Sequence, residues 1–183
     1  RLADKPGIEK LARALSKESK SNPQVAAYKT KGTPMMVEIM NKAGGFPSRY
    51  WSEGTCGHWQ QISAEALHRE CNVKPRACAK CFIACGRLSM IKDGRHAGLK
   101  IEGPEYETLY SFGGEISNTD LGMVIEANRI CDDYGVDTMS AGCTVGFAMG
   151  LYDRGILTRE DLDGLDLTWG NHQAAIALLK KIV

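Results

Sequence analysis

The segment Cys78-Ala-Lys-Cys81-Phe-Ile-Ala-Cys85-Gly86 constrains this chain more than any other stretch. Its three thiols stand at C-x2-C-x3-C spacing, the densest grouping of metal-ligating side chains in the sequence. Such spacing calls for a short, curling backbone that aims several sulfurs to one side. Thiolates are soft ligands, suited to iron–sulfur clusters, zinc and copper(I). Lys74, Arg76 and Lys80 make the approach basic, which favours thiolates and a negatively charged cluster. Phe82 stands where a c-type haem site needs His, and a redox C-x-x-C pair leaves Cys85 without a role. Three ligands leave a fourth to be found elsewhere. On the motif alone, an iron–sulfur cluster, zinc and free thiols all stay open.

At 183 residues the chain is long enough to bury a core, and we expect one helical cofactor- or cluster-binding domain over residues 1–183. A hydrophobic share of 43% and a charged share of 25% are ordinary for a globular protein. A formal net charge of +1 is too weak a field for nucleic acid or an anionic membrane. No apolar run approaches the roughly 18 residues of a membrane span. Seven Cys, odd in number and unevenly spread, do not form a disulfide framework and suit a reducing, cytoplasmic compartment. The chain opens Arg1-Leu2-Ala3 and stops at Val183 within a helical pattern, so it reads as a piece of a longer protein.

The rest of the pattern is helical. Ile8, Leu11 and Leu15 mark one helix in residues 1–30, and 16–23 reads as a polar surface loop. Thr33-Pro34 opens a second helix that Gly44-Gly45 closes, and Ser63 caps a short one ending at Glu70. Between these helices, 46–60 reads as an ordered irregular loop. Alternation over 87–91 and 99–102, on either side of Asp93-Gly94, predicts a β-hairpin. Asn118 or Thr119 caps a helix bearing Leu121, Val124, Ile125 and Cys131, on which Glu126 and Arg129 read as a surface pair. A small-residue helix over 138–154 and a terminal helix over 171–183 follow. The expected fold class is all-α and multi-helical, with a small β-hairpin near residues 87–102.

Two acidic features carry chemical interest. Glu105 and Glu107 follow Gly103-Pro104 in the first turn of a helix; two residues apart, they cannot share one face. Asp132 and Asp137 flank Gly135 at a helix–helix corner, where Gly135 suits a C′ position and Asp137 or Thr138 an N-cap. A corner explains them without a ligand. The alternative is a pair of pure acceptors facing a donor-rich edge, such as the amino-pyrimidine of a pterin.

Taken together, the thiol motif followed by Gly86-Arg87, then Gly103-Pro-Glu-Tyr-Glu107, then Asp132-x-x-Gly135-Val136-Asp137 resemble the tungsten-dependent aldehyde ferredoxin oxidoreductase family. The resemblance implies the first helical domain of the large subunit, without its β-rich N-terminal domain and second helical domain. It implies that Cys78, Cys81 and Cys85 ligate a 4Fe–4S cluster, whose fourth Cys lies beyond this piece. Asp132, Val136 (through its backbone) and Asp137 would bind one pterin of a bis-pterin tungsten, or molybdenum, cofactor. Glu107 would be the acid near the metal, with a carboxyl shifted by burial. The partners implied are ferredoxin, an aldehyde substrate and other domains of the same chain. A homodimer is a further expectation, although Arg129 stands where some members use His to ligate a bridging metal. The competing reading is a non-catalytic helical zinc module, its fourth ligand drawn from Cys56, His58, His68 or Cys71.

Overall fold

The computed structural model describes residues 3–183; Arg1 and Leu2, which open the sequence, lie outside the described residues. Two helices replace the single one expected at the start. Helix α1 (Lys5–Ser19) begins where Asp4 accepts from the Gly7 amide at 2.9 Å. Helix α2 (Pro23–Lys31) restarts after Asn22, which accepts from Gln24 N at 2.9 Å, with Pro at its first position. Asn-Pro is therefore a helix start rather than part of a loop. The Ile8, Leu11 and Leu15 stripe of α1 faces solvent.

A 3-10 turn at Thr33–Met35 leads into α3 (Met36–Lys42), and α4 (Ala64–Glu70) starts at the Ser63 cap, 3.2 Å from Ala66 N. Three antiparallel strands follow, in the order β1-β2-β3: β1 (Cys71–Arg76), β2 (Gly86–Ile91) and β3 (Lys100–Glu102). The expected hairpin is β2–β3, with Leu88 opposite Glu102. Strand β1 is additional. It runs straight on from α4, and Lys74-Pro75-Arg76 carries no apolar alternation; Pro75 is tolerated because β1 is a sheet edge. Its register, Cys71 opposite Ile91 and Arg76 opposite Gly86, brings together both ends of the loop holding the three thiols.

Four more helices complete the fold: α5 (Tyr106–Ser111), α6 (Leu121–Tyr134), α7 (Thr138–Asp153) and α8 (His172–Ile182). The stripe on α6 is the buried one, as expected, with Leu121, Val124, Ile125 and Cys131 in the core. Its cap, however, is Asp120, which accepts from Met123 N at 3.0 Å. Asn118 is buried instead and donates to the Phe112 carbonyl at 3.0 Å. The expected Glu126–Arg129 pair also does not form: Lys180 reaches Glu126 at 3.3 Å, while Arg129 turns to Asp133 at 2.7 Å. Small residues on α7 allow close packing; a Cβ at Gly142 would come within 2.8 Å of Ser111. No described helix is long and apolar enough to cross a membrane.

Candidate cluster and cofactor face

The loop from Ala77 to Cys85 leaves β1 and returns through β2, so the sheet anchors the thiols at both ends. Inside it the backbone curls twice. Cys81 N donates to Cys78 O at 3.0 Å, and the residues just before Cys81 and Cys85, Lys80 and Ala84, adopt left-handed conformations at φ 63° and 56°. For side-chain-bearing residues that conformation costs roughly 1–2 kcal/mol each. Such strain persists only where the surroundings hold it, and it concentrates at functional sites. Cys78 is exposed and Cys81 and Cys85 are half-buried, while Lys20 and Lys29 line the cleft beside Cys81 and Phe82.

The other four cysteines behave differently. Cys56, Cys71 and Cys131 lie in the core and Cys143 on α7; burial pushes Cys71, Cys131 and Cys143 up to about 11, which keeps them as thiols. Two of the fourth ligands considered for zinc, Cys56 and Cys71, are thus core residues. Among the described residues, no three His, Cys, Asp or Glu side chains converge as one ion requires. A 4Fe–4S cluster makes a different demand, because each thiolate binds its own iron.

Behind the thiols sits Arg87, wholly buried. Its guanidinium donates to Ala84 O at 2.7 Å, to Thr30 O at 2.8 Å, and to Lys29 O and Tyr28 O at 3.1 and 3.4 Å, with Nε on Gly86 O at 2.7 Å. These α2 carbonyls lie in its last turn, where helix carbonyls lack i+4 partners, although Tyr28 O also accepts from Gly32 N at 2.8 Å. Burial lowers the guanidinium pKa, opposed by Glu105 and Cys85. Gly32 makes this approach feasible: at φ 68°, a Cβ there would lie 2.6 Å from Cys85 O and 2.7 Å from Arg87 Nε.

The start of α5 lies against the same loop. The Glu105 carboxylate accepts from the Thr33 hydroxyl, and a Cβ on Gly86 would lie 3.6 Å from its Oε1. Burial raises the Glu105 pKa, and the Thr33 bond opposes that rise. Glu107, two residues on, is exposed, so this chain by itself does not bury it as expected. A polar path continues to the α6–α7 corner: a Cβ at Gly103 would sit 2.7 Å from Asn128 Oδ1, and Asn128 Nδ2 donates to Asp132 Oδ2 at 2.9 Å. Burial raises the Asp132 carboxyl, and the Asn128 bond opposes it.

At the corner, Gly135 takes φ 68° and Asp137 caps α7, accepting from Ser140 N at 2.7 Å; that bond holds its carboxyl below the usual range. Asp132 and Asp137 each commit one oxygen to these bonds, and both side chains are exposed at the corner. Two outward acceptors and the half-buried Val136 between them suit a donor-rich heterocycle edge. Thr108 Oγ1 and Thr138 Oγ1 meet at 3.0 Å, which draws the Glu107 turn toward this corner.

One perturbed acid has no local signature. Glu115 is fully buried, neither of its oxygens accepts a well-formed hydrogen bond, and burial pushes its carboxyl up to about 7, opposed only by the nearby Trp51 backbone amide. Its backbone carbonyl accepts from Tyr50 N at 3.0 Å, within a left-handed turn at Arg49, Tyr50 and Trp51. The preceding Gly113-Gly114 was the available hint. A Cβ on either would lie 2.2 Å from a neighbouring carbonyl, so the backbone there is tightly packed.

Residues 10–183 match the family model for aldehyde ferredoxin oxidoreductase, domains 2 and 3. The chain belongs to the aldehyde ferredoxin oxidoreductase family. The tungsten-containing aldehyde ferredoxin oxidoreductases of Thermococcus kodakarensis and Pyrococcus furiosus are 33% and 32% identical to it, each over 99% of this chain. An aliphatic sulfonate oxidoreductase WOR-like subunit from P. furiosus is 34% identical over 56% of it. The chain spans 30% of the length of the first two relatives. As an aldehyde ferredoxin oxidoreductase family member, the chain comes from an oxidoreductase family whose relatives named here include tungsten-containing enzymes.

Proposed function

We propose that this chain supplies one wall of a bis-pterin tungsten site and three ligands of a 4Fe–4S cluster in a cytoplasmic aldehyde-oxidising enzyme. The observation that carries the reading is the close approach of Glu105, at the start of α5, to Gly86, the residue after Cys85, continued by the approach of Asn128 to Gly103 and its bond to Asp132. Residues expected to touch cluster, metal and pterin thereby share one connected region.

Cys78, Cys81 and Cys85 would each bind one iron, with a fourth Cys from elsewhere in the protein. Asp132 and Asp137 would accept hydrogen bonds from the amino-pyrimidine of a pterin, with the Val136 backbone completing the edge. Glu107 would hold or release a proton beside the substrate once neighbouring domains close over it. The tungsten–pterin group, molybdenum being the alternative metal, supplies two-electron oxidation of an aldehyde to a carboxylic acid when bound. Cys78, Cys81 and Cys85 would hold the cluster that passes electrons singly onward, and ferredoxin, which the relatives' names carry, would be the partner that takes them. The remaining contacts come from other domains, and a homodimer is the assembly in keeping with the family resemblance.

Metal and sulfide analysis of the anaerobically purified full-length protein tests this. About four iron, four sulfide and one tungsten per chain, with aldehyde-dependent dye reduction, are expected. Stoichiometric zinc without iron or tungsten would replace it with the zinc module. The isolated 183-residue chain is expected to be inactive, since part of the cofactor cradle and one cluster ligand are missing.

A further inference from the structure

Arg87 is the largest side chain withdrawn wholly from solvent. All its hydrogen bonds go to neutral backbone carbonyls. Arg76, at the mouth of the same loop, pairs with Glu102 in the open; Arg87 forms no such ion pair among the described residues. A buried cation without a counter-ion is costly, and the partial negative charge at a helix C-terminus offsets only part of it. The Glu105 carboxylate, which Thr33 also engages, supplies part of the balance without reaching Arg87 as an ion pair. The other groups placed to carry negative charge beside Arg87 are the sulfurs of the loop that Arg87 itself clamps, Cys85 among them. The Ala84 carbonyl it holds belongs to the strained turn immediately before Cys85.

We propose that Arg87 is the positioning residue and internal counter-charge of the Cys78–Cys81–Cys85 site. Its guanidinium holds the turn at Ala84 and balances the negative charge of the cluster bound there. This rests on the cluster assignment made above. Reduction adds one electron, and so one more negative charge, to the cluster. A fixed cation nearby favours that reduced form and raises the midpoint potential.

The test uses the full-length, anaerobically purified holoprotein with Arg87→Gln and Arg87→Lys, reading iron, sulfide, circular dichroism and the EPR-monitored midpoint. Arg87→Gln is expected to lower the midpoint by about 59 mV or more, a tenfold change in the one-electron equilibrium. Arg87→Lys, which keeps the charge, should stay closer to the wild type while losing iron faster to a chelator. An iron-loaded Arg87→Gln protein with an unchanged midpoint overturns the proposal. If Arg87→Gln folds without iron or does not fold, Arg87→Lys decides. An Arg87→Lys protein that purifies with iron, without chelator, and has a near-native midpoint supports the role of the charge; a folded Arg87→Lys protein that purifies without iron, or whose midpoint falls by about 59 mV or more, overturns it. A wild-type protein lacking iron and sulfide is a different result, because it removes the cluster assignment itself.

Discussion

The Thr33 hydroxyl joins two ends of one polar contact: it donates to the Glu105 carboxylate, 72 residues later, and accepts from the Tyr106 amide at 3.0 Å. Glu105 occupies the N-cap position of α5 but makes no capping bond, so the cap is supplied from the α2–α3 connection. Thr33→Ala removes that cap and leaves a half-buried carboxylate without its partner. We expect a loss of about 1–2 kcal/mol in urea unfolding, with Thr33→Ser recovering most of it. An unchanged midpoint in Thr33→Ala would refute the cap.

Glu115 predicts a pH dependence with a definite sign. Below pH 4.5, its ordinary value, the carboxyl is protonated in both folded and unfolded chains. From there to about 7 the unfolded chain ionises while the folded one stays neutral, so stability falls as pH rises. At 1.36 kcal/mol per unit the full loss is about 3 kcal/mol. Glu115→Gln keeps the shape and removes the ionisation. Its unfolding free energy should exceed the wild type's more at pH 8 than at pH 5; equal gaps at both would rule out a buried neutral acid.

Two glycines share a φ of 68° but differ in ψ, 33° at Gly135 and −168° at Gly32, and in what surrounds them. At Gly135 an added Cβ meets nothing within 4 Å, so Gly135→Ala should cost only the left-handed penalty, about 1 kcal/mol. At Gly32 the same Cβ meets Cys85 O and Arg87 Nε, and the backbone lies in a region only glycine adopts readily, so Gly32→Ala should cost at least twice as much. Denaturant midpoints of the two variants give the comparison directly, and equal losses would show that the Gly32 turn relaxes freely.

Thiol labelling tests the division of the cysteines. In the metal-free chain under native conditions, Cys78, Cys81 and Cys85 should react with a small alkylating agent, with Cys78 first. Cys56, Cys71 and Cys131 should label only on unfolding, as peptide mass spectrometry would show. Native labelling of Cys71 as fast as Cys78 would contradict the packing of β1.

Much of the frame was readable because it depends on near neighbours. The C′ role of Gly135, the Asp137 and Ser63 caps, the β2–β3 hairpin and the buried stripe of α6 all arise within a few residues. Where local signals competed, the reading slipped. Asn22-Pro23 resembled a loop but starts α2, and Asp120 outranked Asn118 because Asn118 is drawn into the core. Strand β1 escaped because a Pro-containing sheet edge has no alternation to display.

The sequence by itself determined that three closely spaced thiols occupy one curling loop and that Asp132 and Asp137 flank a glycine corner. Spacing along the backbone is enough for both. Only the tertiary structure decided that Arg87 is buried against α2, that Thr33 caps α5, and that Glu115 is buried without a partner while Glu107 stays exposed. Those properties are set by groups tens of residues away in sequence. Burial and charge balance depend on what chain packing places beside a side chain, and no local pattern records that.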